Sequence, residues 1–194
     1  MDKKKLVCLI LIKAKAILLD RDGVLIEDKD YAYKVEDFVL LPGVIDGLKL
    51  LKKKFLFFIV TNQSGIGRGY YTVEDFHNFN NYLLKILKQE SIEILKTYFC
   101  PHLREDNCVC RKPKTKFIDE IIKEFNVDMN RSWMIGDHPS DIQFGINAGC
   151  RTIFLTTGHG DRHLDELESL GIKPTLIYDN FLIATKEILK IQEI

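Results

Sequence analysis

The sequence lacks an excess of charge of either sign, because 28 lysines and arginines are matched by 28 aspartates and glutamates among 194 residues. A chain with balanced charge has no overall attraction for nucleic acid or for an anionic membrane. The sequence also lacks a long apolar run, since residues 6–12 fall far short of the about 20 residues that span a bilayer. We therefore predict no nucleic-acid partner and no membrane partner. Because the overall charge is balanced, any binding of an anion such as phosphate would require a local cluster of positive charge.

Cysteine is scarce and odd in number, with five residues, of which Cys8 and Cys150 lie far from the other three. An odd count without a convincing export signal favours a reducing compartment, and we expect a cytoplasmic protein. The basic start and residues 6–12 resemble a short signal peptide, but cleavage near Ala16 would cut into a predicted strand. We interpret residues 1–13 as an N-terminal extension.

The length suits one domain, which we assign to residues 14–194, and we expect a monomer. Apolar runs rich in β-forming residues alternate with stretches of helical period. The predicted strands cover residues 16–20, 55–61, 132–137, 151–156 and, more weakly, 175–179. Continuous apolar strands indicate a sheet that is covered on both faces. The alternation predicts an α/β fold with a doubly wound, Rossmann-like parallel sheet.

Helices are predicted over five stretches: 44–54, 72 to about 89, 115–125, 139–149 and 181–194. The second of them begins with a capping box at Thr72. Residues 21–41 break the alternation and are predicted to form an extended loop or hairpin over the edge of the sheet. Residues 156–163 are predicted to form a glycine turn into a polar helix, with a place at the pocket entrance as the alternative.

Acidic or hydroxyl residues follow three of the predicted strands. They are Asp20 with Asp22, Thr61 with Asn62, and Asp137 with Asp141. Any one of these aspartates alone is better explained as a helix cap or a turn residue. All three together predict one pocket, because open α/β sheets bind ligands beyond the carboxyl ends of their strands. Converging carboxylates repel one another, and a Mg²⁺ ion with a substrate phosphate would relieve that repulsion.

Cations and backbone donors are predicted for the same pocket. Arg111 and Lys112 supply positive charge, and the glycine-rich segment TNQSGIGRG, residues 61–69, lets backbone N–H groups approach an anion closely. The sequence therefore predicts a phosphate-binding site.

Four motifs, taken in order, resemble the haloacid dehalogenase (HAD) superfamily of phosphotransferases. They are LDRDGVL at 19–25, VTN at 60–62, RKP at 111–113 and GDHPSD at 136–141. The resemblance covers nearly the whole chain from about Lys15. It implies a HAD fold without a large cap domain, and a Mg²⁺-dependent phosphomonoester hydrolase.

The resemblance also implies a role for each motif residue. Asp20 would take the phosphoryl group as an aspartyl phosphate, and Asp22 would act as general acid and then as general base. The catalytic Mg²⁺ would be held by Asp20, the Asp22 backbone carbonyl and Asp137. The other implied roles are phosphate binding by Thr61 and Asn62, charge neutralisation by Lys112, and orientation of Lys112 or of metal-bound water by Asp141.

Three cysteines and a histidine fall within CPHLREDNCVC, residues 100–110. Cys100, His102, Cys108 and Cys110 offer the four ligands of a tetrahedral structural Zn²⁺, which would have no open position for catalysis. Disulfides are the alternative, but pairing within C-x-C is strained and a reducing compartment disfavours it. The zinc-stabilised loop would position Arg111 and Lys112, which follow it directly.

Within the superfamily, CPH followed by CxCRKP resembles the branch of heptose bisphosphate and histidinol-phosphate phosphatases. TNQSGIGRGYYT and DYAYKVEDFVLLPGV resemble the heptose enzymes, whose product leads to nucleotide-activated heptose for lipopolysaccharide or glycoprotein synthesis. The short gap from His102 to Cys108 and the CRKPK run resemble the histidinol-phosphate enzymes, and His138 departs from the lysine of the heptose enzymes. The resemblance implies a phosphorylated sugar as substrate, namely removal of the 7-phosphate of heptose 1,7-bisphosphate, with histidinol phosphate as the alternative. The substrate-binding residues implied are Asp28, Tyr31, Thr61, Asn62, Gln63, Ser64, Arg68, Arg111 and Lys112.

Two other classes of function fit the sequence less well. A non-catalytic phosphate-binding module would lack the nucleophile or the acid, whereas Asp20 and Asp22 are both present. A nucleic-acid 3′-phosphatase would carry a basic stripe, which the balanced charge does not suggest.

Overall fold

The structure, a computed structural model, describes residues 13–192. Residues 1–12, which hold the apolar run, Cys8 and most of the predicted N-terminal extension, lie outside the described residues. The chain joins the fold at Ala14, which forms a parallel bridge with Val127. Ala14 N donates to Asn126 O at 3.0 Å, and Asp128 N donates to Ala14 O at 2.8 Å.

Six strands form one parallel sheet. They are β1 Ala16–Leu19, β2 Leu56–Asn62, β3 Lys96–Cys100, β4 Trp133–Gly136, β5 Arg151–Leu155 and β6 Leu176–Tyr178. Their spatial order is β3-β2-β1-β4-β5-β6, and every pair is parallel. The predicted doubly wound α/β fold is confirmed. The order reverses between β1 and β4, which is where open sheets of this type bind their ligands.

Helices connect the strands. In the described chain they are α1 Val44–Leu51, α2 Ser64–Gly67, α3 Val73–Gln89, α4 Lys116–Phe125, α5 Pro139–Asn147, α6 Gly160–Ser169 and α7 Phe181–Gln192, with short 3-10 helices at Val35–Asp37 and Met129–Arg131. The predicted helices are present, with ends that differ by a few residues. The capping box is confirmed, since Thr72 Oγ1 accepts from Asp75 N at 3.1 Å and Asp75 Oδ2 accepts from Thr72 N at 2.8 Å. None of these helices is both long and apolar enough to cross a membrane.

Strand β3 was not predicted from the sequence. Its residues KTYFC mix polar and apolar side chains, and only Tyr98 and Cys100 among them are buried. Within residues 13–192 the strand lies at the edge of the sheet and pairs only with β2, so it needs no continuous apolar run. Cys100, the first residue of the cysteine cluster, is therefore the buried last residue of a strand.

The two faces of the sheet are covered by different helices. Ile17 and Leu19 of β1 belong to a buried cluster with residues of α1, α3 and α7. Ala16 and Leu18 belong to a second cluster with residues of α4 and α5. Because both faces of β1 are buried, its side chains are apolar at every position and do not alternate with polar ones.

Residues 21–41 form an extended segment, as predicted, although not a regular hairpin. Its pairing consists of single bridges from Asp22 to Ile26 and from Ile26 to Leu40, and it contains the 3-10 helix Val35–Asp37. Val24, Leu25 and Ile26 are fully buried. The segment is thus anchored in the core at its start and reaches the carboxyl ends of the strands beyond it.

Candidate active site

A cavity of about 260 Å³ opens at the carboxyl ends of β1, β2 and β4. The predicted site residues that line it are Asp20, Asp22, Asp28, Tyr31, Thr61, Asn62, Gln63, Ser64, Arg111, Lys112, Asp137 and Asp141. Arg68 is the exception, because it is exposed and is not among the lining residues. Helix α2 starts at the cavity with Ser64, and Arg68 follows its last residue, Gly67.

Lys112 and two carboxylates form the charged centre of the cavity. Lys112 Nζ lies 3.0 Å from Asp20 Oδ1 and 2.7 Å from Asp141 Oδ1, and it donates to Val60 O at 2.6 Å. Burial raises the pKa of Asp20 to about 6, Lys112 opposes that rise, and Asp141 and Asp22 add to it. Burial alone would lower the pKa of Lys112, but Asp141 and Asp20 raise it on balance, so the ammonium stays charged.

Asp137 completes the acidic group at the end of β4. Burial, and then the nearby Asp20 and Asp141, raise the pKa of Asp137 well above its ordinary value. Gly23 and Gly158 pack directly against it, and a Cβ added to them would lie 2.0 Å and 2.6 Å from Asp137 Oδ2. Both glycines also have positive φ angles, +75° and +57°, so no other residue fits either position without strain.

The acidic group has the composition of a site for a hard divalent cation. One oxygen from each of Asp20, Asp137 and Asp141 lies within 4.8 Å of the others. Lys112 neutralises only part of this charge, and buried carboxylates so close together resist ionisation without a cation. Oxygen ligands of this kind suit Mg²⁺. Asp20 and Asp137 would hold the ion, and the Asp22 carbonyl remains a predicted third ligand.

The backbone of Lys112 is fixed by Asn62, the last residue of β2. Asn62 Oδ1 accepts from Lys112 N at 3.0 Å, and Asn62 Nδ2 donates to Lys112 O at 3.4 Å. These two bonds join the VTN motif to the RKP motif across the mouth of the cavity. The phosphate contact predicted for Asn62 stays a prediction, and the contact seen in the structure is with Lys112.

The Asp22 carboxylate is held by Arg21 and Gln63. Arg21 Nη2 lies 2.9 Å from Asp22 Oδ1, and Gln63 Nε2 donates to Asp22 Oδ2 at 2.8 Å. Tyr71 Oη in turn donates to Gln63 Oε1 at 2.6 Å. Sequence reasoning missed Arg21 and Tyr71. The place of Arg21 between two aspartates is a usable signal for it, whereas no local pattern marks Tyr71.

Three histidines line a further part of the cavity. His138 caps α5, and burial followed by the neighbouring His163 lowers the pKa of its ring to about 4. His163 Nδ1 lies 2.7 Å from Glu166 Oε2. His159 Nδ1 lies 3.9 Å from Asp28 Oδ2. Residues 156–163 therefore lead into a helix, as predicted, and His159 and His163 also line the cavity, which was the alternative prediction for this segment.

The cysteine cluster has the spacing of a tetrahedral metal site. The sulfur atoms of Cys100 and Cys108, Cys100 and Cys110, and Cys108 and Cys110 lie 3.5, 3.2 and 3.6 Å apart. His102 Nδ1 lies 3.6 Å from the Cys100 sulfur and 3.3 Å from the Cys110 sulfur. A zinc ion bound at about 2.3 Å separates its ligand atoms by roughly 3.5 to 3.8 Å. The three cysteines are free, which speaks against the disulfide alternative, and the set could hold one zinc ion.

Side-chain hydrogen bonds connect the cysteine loop, residues 100–110, to residues in and just after the RKP motif. Lys114 Nζ donates to Asn107 O at 3.0 Å and to Cys108 O at 2.5 Å. Arg111 Nη1 donates to His102 O at 3.3 Å. The loop and the motif therefore form one structural unit beside the cavity.

The chain is similar to known proteins. The HAD-hydrolase-like family model matches residues 109–184. The D-glycero-alpha-D-manno-heptose-1,7-bisphosphate 7-phosphatase of Campylobacter jejuni is 46% identical over 145 residues, which are 74% of this chain and 83% of the relative. This chain belongs to the HAD heptose-bisphosphate phosphatase family.

Other HAD phosphatases extend the comparison. The D-glycero-beta-D-manno-heptose-1,7-bisphosphate 7-phosphatase of Helicobacter pylori J99 is 42% identical over 145 residues, covering 74% of this chain and 83% of the relative. The solved D,D-heptose 1,7-bisphosphate phosphatase from B. bronchiseptica, complexed with magnesium and phosphate, superposes with a TM-score of 0.82 at 28% identity. That match covers 91% of this chain and 98% of the solved chain. The HAD fold and family predicted from the motifs are confirmed.

Proposed function

We propose that this HAD phosphatase removes the 7-phosphate of D-glycero-D-manno-heptose 1,7-bisphosphate through an aspartyl phosphate on Asp20. The observation that carries the proposal is the contact of Asp20 with Lys112 in a cavity that also holds Asp22 and Asp137. A nucleophile, a positive charge for the phosphate and a proton donor are thus brought together. The names of the relatives support the sugar bisphosphate as the substrate.

The two oxygens of Asp20 have different surroundings. Oδ1 lies 3.0 Å from Lys112 Nζ and accepts from Arg21 N at 2.8 Å, so Oδ2 is left to attack phosphorus. As the Asp20–phosphorus bond forms, the bond from phosphorus to the sugar oxygen breaks and Asp22 gives that oxygen a proton. Asp22 then takes a proton from water, whose oxygen bonds to phosphorus while the Asp20–phosphorus bond breaks.

The remaining polar side chains of the cavity are proposed to bind the substrate. Thr61 and Lys112 would contact the transferred phosphoryl group, where the buried ammonium offsets negative charge. The residues proposed to contact the rest of the substrate are Asp28, Tyr31, Ser64, Arg68 and Arg111. Of these, Arg68 must reach the cavity from an exposed position and is the least supported by the geometry.

Two metal ions belong to the proposal. Mg²⁺ at Asp20, Asp137 and the Asp22 carbonyl would supply charge neutralisation at the phosphoryl oxygens. Zn²⁺ at the cysteine cluster would have four protein ligands and no open position, so its contribution is structural. The zinc loop would then hold Arg111 and Lys112 in place.

We further propose that residues 14–194 act as one domain, as a monomer in the cytoplasm and without a nucleic-acid partner. One sheet with a buried cluster on each face runs through the described residues. The free thiols at positions 100, 108 and 110 suit a reducing compartment, because oxidation would destroy the ligand set. Sedimentation analysis would test whether the protein is a monomer in solution.

The substrate is tested by measuring phosphate release with Mg²⁺ from four compounds. They are the α and β anomers of heptose 1,7-bisphosphate, histidinol phosphate and fructose 1,6-bisphosphate. We expect kcat/KM for one heptose anomer to exceed that for histidinol phosphate by at least about a hundredfold. Both anomers are included because the two relatives act, by name, on different ones. A preference for histidinol phosphate overturns the substrate, and no release from any compound overturns the phosphatase itself.

A further inference from the structure

We propose that Arg21, Gln63 and Tyr71 are positioning residues that fix the Asp22 carboxyl group for its two proton transfers. The inference rests on the proposed function, because it assumes that Asp22 is the acid and base. The geometry that carries it is a continuous chain of hydrogen bonds from Tyr71 through Gln63 to Asp22, with Arg21 bonded to the last two.

Arg21 donates hydrogen bonds to the Asp22 carboxylate from two nitrogen atoms. Its Nε lies 3.2 Å and 3.1 Å from the two Asp22 oxygens, and its Nη2 lies 2.9 Å from Oδ1. The guanidinium lies over the rings of Phe76 and Phe79 of α3, at 5.3 Å and 5.1 Å from their centroids. Arg21 is 1% exposed. A buried planar guanidinium packed against two rings cannot rotate freely, so the carboxylate that it holds is fixed as well.

Gln63 adds a bond whose direction is set by its other neighbours. Its Oε1 accepts from Tyr71 Oη at 2.6 Å and from Arg21 Nη2 at 3.1 Å. With the amide oxygen held by two donors, Nε2 must face the acceptors, and it donates to Asp22 Oδ2 and to Thr61 Oγ1, each at 2.8 Å. A flipped amide would turn its oxygen toward the carboxylate, which is unfavourable.

Tyr71 is therefore two hydrogen bonds away from Asp22 and, together with Arg21, sets the direction of the chain. Burial raises the pKa of its hydroxyl, so the group remains a donor. Gly65 of α2 makes room for the ring, because a Cβ there would lie 2.2 Å from Tyr71 Cε1. The ring also stacks on Tyr33 at 5.3 Å. Tyr33 belongs to the segment that carries Asp28 and Tyr31, which line the cavity.

The test compares Tyr71→Phe and Gln63→Glu with the wild-type protein. Tyr71→Phe removes one donor, and Gln63→Glu replaces the amide donor by a carboxylate next to Asp22. Tyr82→Phe is the matched control, since Tyr82 loses the same hydroxyl from an exposed ring that packs against Phe38. Thermal melting establishes that each variant is folded.

Two substrates separate positioning from a general loss of structure. Sugar-phosphate cleavage needs a proton on the leaving oxygen, whereas p-nitrophenolate leaves without one. We expect Tyr71→Phe to lower kcat on heptose bisphosphate on the order of tenfold, with KM changed by no more than about twofold. Gln63→Glu should lower kcat further. On p-nitrophenyl phosphate, both variants should release a burst of about one p-nitrophenolate per site before slow turnover, because water attack still needs the base.

The outcomes are distinct for the inference and for the proposed function. A Tyr71→Phe protein with unchanged kcat, or with equal losses on both substrates and no burst, overturns the positioning role. A change in KM alone assigns Tyr71 to substrate binding and also overturns it. If the wild-type protein releases no phosphate from heptose bisphosphate but hydrolyses p-nitrophenyl phosphate, the proposed substrate fails, and the burst still tests the positioning residues.

Discussion

Lys112 is the residue on which the electrostatics of the cavity depend. It is 3% exposed and touches both Asp20 and Asp141, so its ammonium offsets two carboxylates that burial would otherwise disfavour. Its main chain is fixed by Asn62 and its side chain by Val60 O. These contacts fix the Lys112 side chain in one position, and its ion pair fixes Asp20, the proposed nucleophile, as well.

Replacing Asp20 by asparagine should abolish turnover while the protein stays folded. The amide keeps the shape of the carboxylate and an acceptor for Arg21 N, but it cannot form the acyl phosphate. We expect kcat to fall by at least about a thousandfold, measured as phosphate release from heptose bisphosphate. Asp119→Asn is the control, because Asp119 is exposed on α4. An Asp20→Asn protein with substantial turnover would remove Asp20 as the nucleophile.

At the scale of elements, the cysteine loop continues directly from an edge of the sheet. It leaves from the end of β3, and its cluster ends at Cys110, one residue before Arg111. Lys114 closes the loop back on itself through two carbonyl groups. A metal ion at the cluster would therefore hold both ends of a segment that has little core of its own.

Cys110→Ser should lose zinc and weaken catalysis together. Elemental analysis of protein purified without chelator should give roughly one zinc ion per wild-type chain and far less for the variant. We expect kcat to fall roughly ten- to a hundredfold, because Lys112 loses the support of the loop. Cys150→Ala is the control, since Cys150 is buried outside the cluster. Wild-type protein without zinc, or a fully active Cys110→Ser protein, would contradict the structural role.

The capping box at the start of α3 should contribute measurably to stability. Thr72→Ala removes the acceptor for Asp75 N, and we expect the free energy of unfolding to fall by about 1 kcal/mol in urea titrations. Thr72→Ser keeps the hydroxyl and should lose much less. Equal losses for the two variants would show that the methyl group, rather than the cap, supplies the stability.

The same cap predicts a dependence on pH. Hydrogen bonds from the Thr72 backbone and then from its side chain lower the pKa of Asp75 below its ordinary value of 3.8. A lowered folded-state pKa stabilises the protein above the unfolded-state pKa, and that contribution is lost as pH falls through the folded-state pKa. Asp75→Asn should therefore destabilise the protein at neutral pH and approach the wild type at strongly acidic pH. A difference that is constant with pH would contradict the cap.

At the scale of the whole molecule, the strand order brings distant motifs together. Asp20 and Asp137 directly follow the neighbouring strands β1 and β4, although more than half of the chain separates them in sequence. Lys112 arrives from the segment after β3 at the far edge. The catalytic set is thus assembled by the sheet and not by local sequence.

The N-terminal boundary can be tested by truncation. A chain that starts at Lys13 should keep kcat within about twofold, because it retains every described contact. A chain that starts at Ala16 loses the two backbone bonds of Ala14 and the bond from Leu56 N to Lys15 O. We expect it to lose roughly 2 to 4 kcal/mol of unfolding free energy. An inactive chain starting at Lys13 would mean that residues 1–12 belong to the working domain.

The central strands and the motif residues were within reach of sequence reasoning. AILL, LFFIV and WMIG are apolar throughout because both of their faces are buried, and this leaves a strong local signal. Asp20, Asp137 and Lys112 stand in motifs at strand ends or before helices, where chemistry and position coincide. The spacing of the cysteine cluster indicates a tetrahedral ligand set because each ligand type is rare elsewhere in the chain.

Only the tertiary structure decided which side chains work together. The edge strand β3 carries a weak pattern because it has one neighbour among the described strands, and Arg68 matches a motif yet is not among the residues that line the cavity. No local pattern marks Tyr71, and the roles of Arg21 and Tyr71 depend on hydrogen bonds to Gln63, which follows β2. Sequence determines the chemistry that each residue can offer and the element in which it lies. Contact between remote residues is set by packing, which no local pattern records.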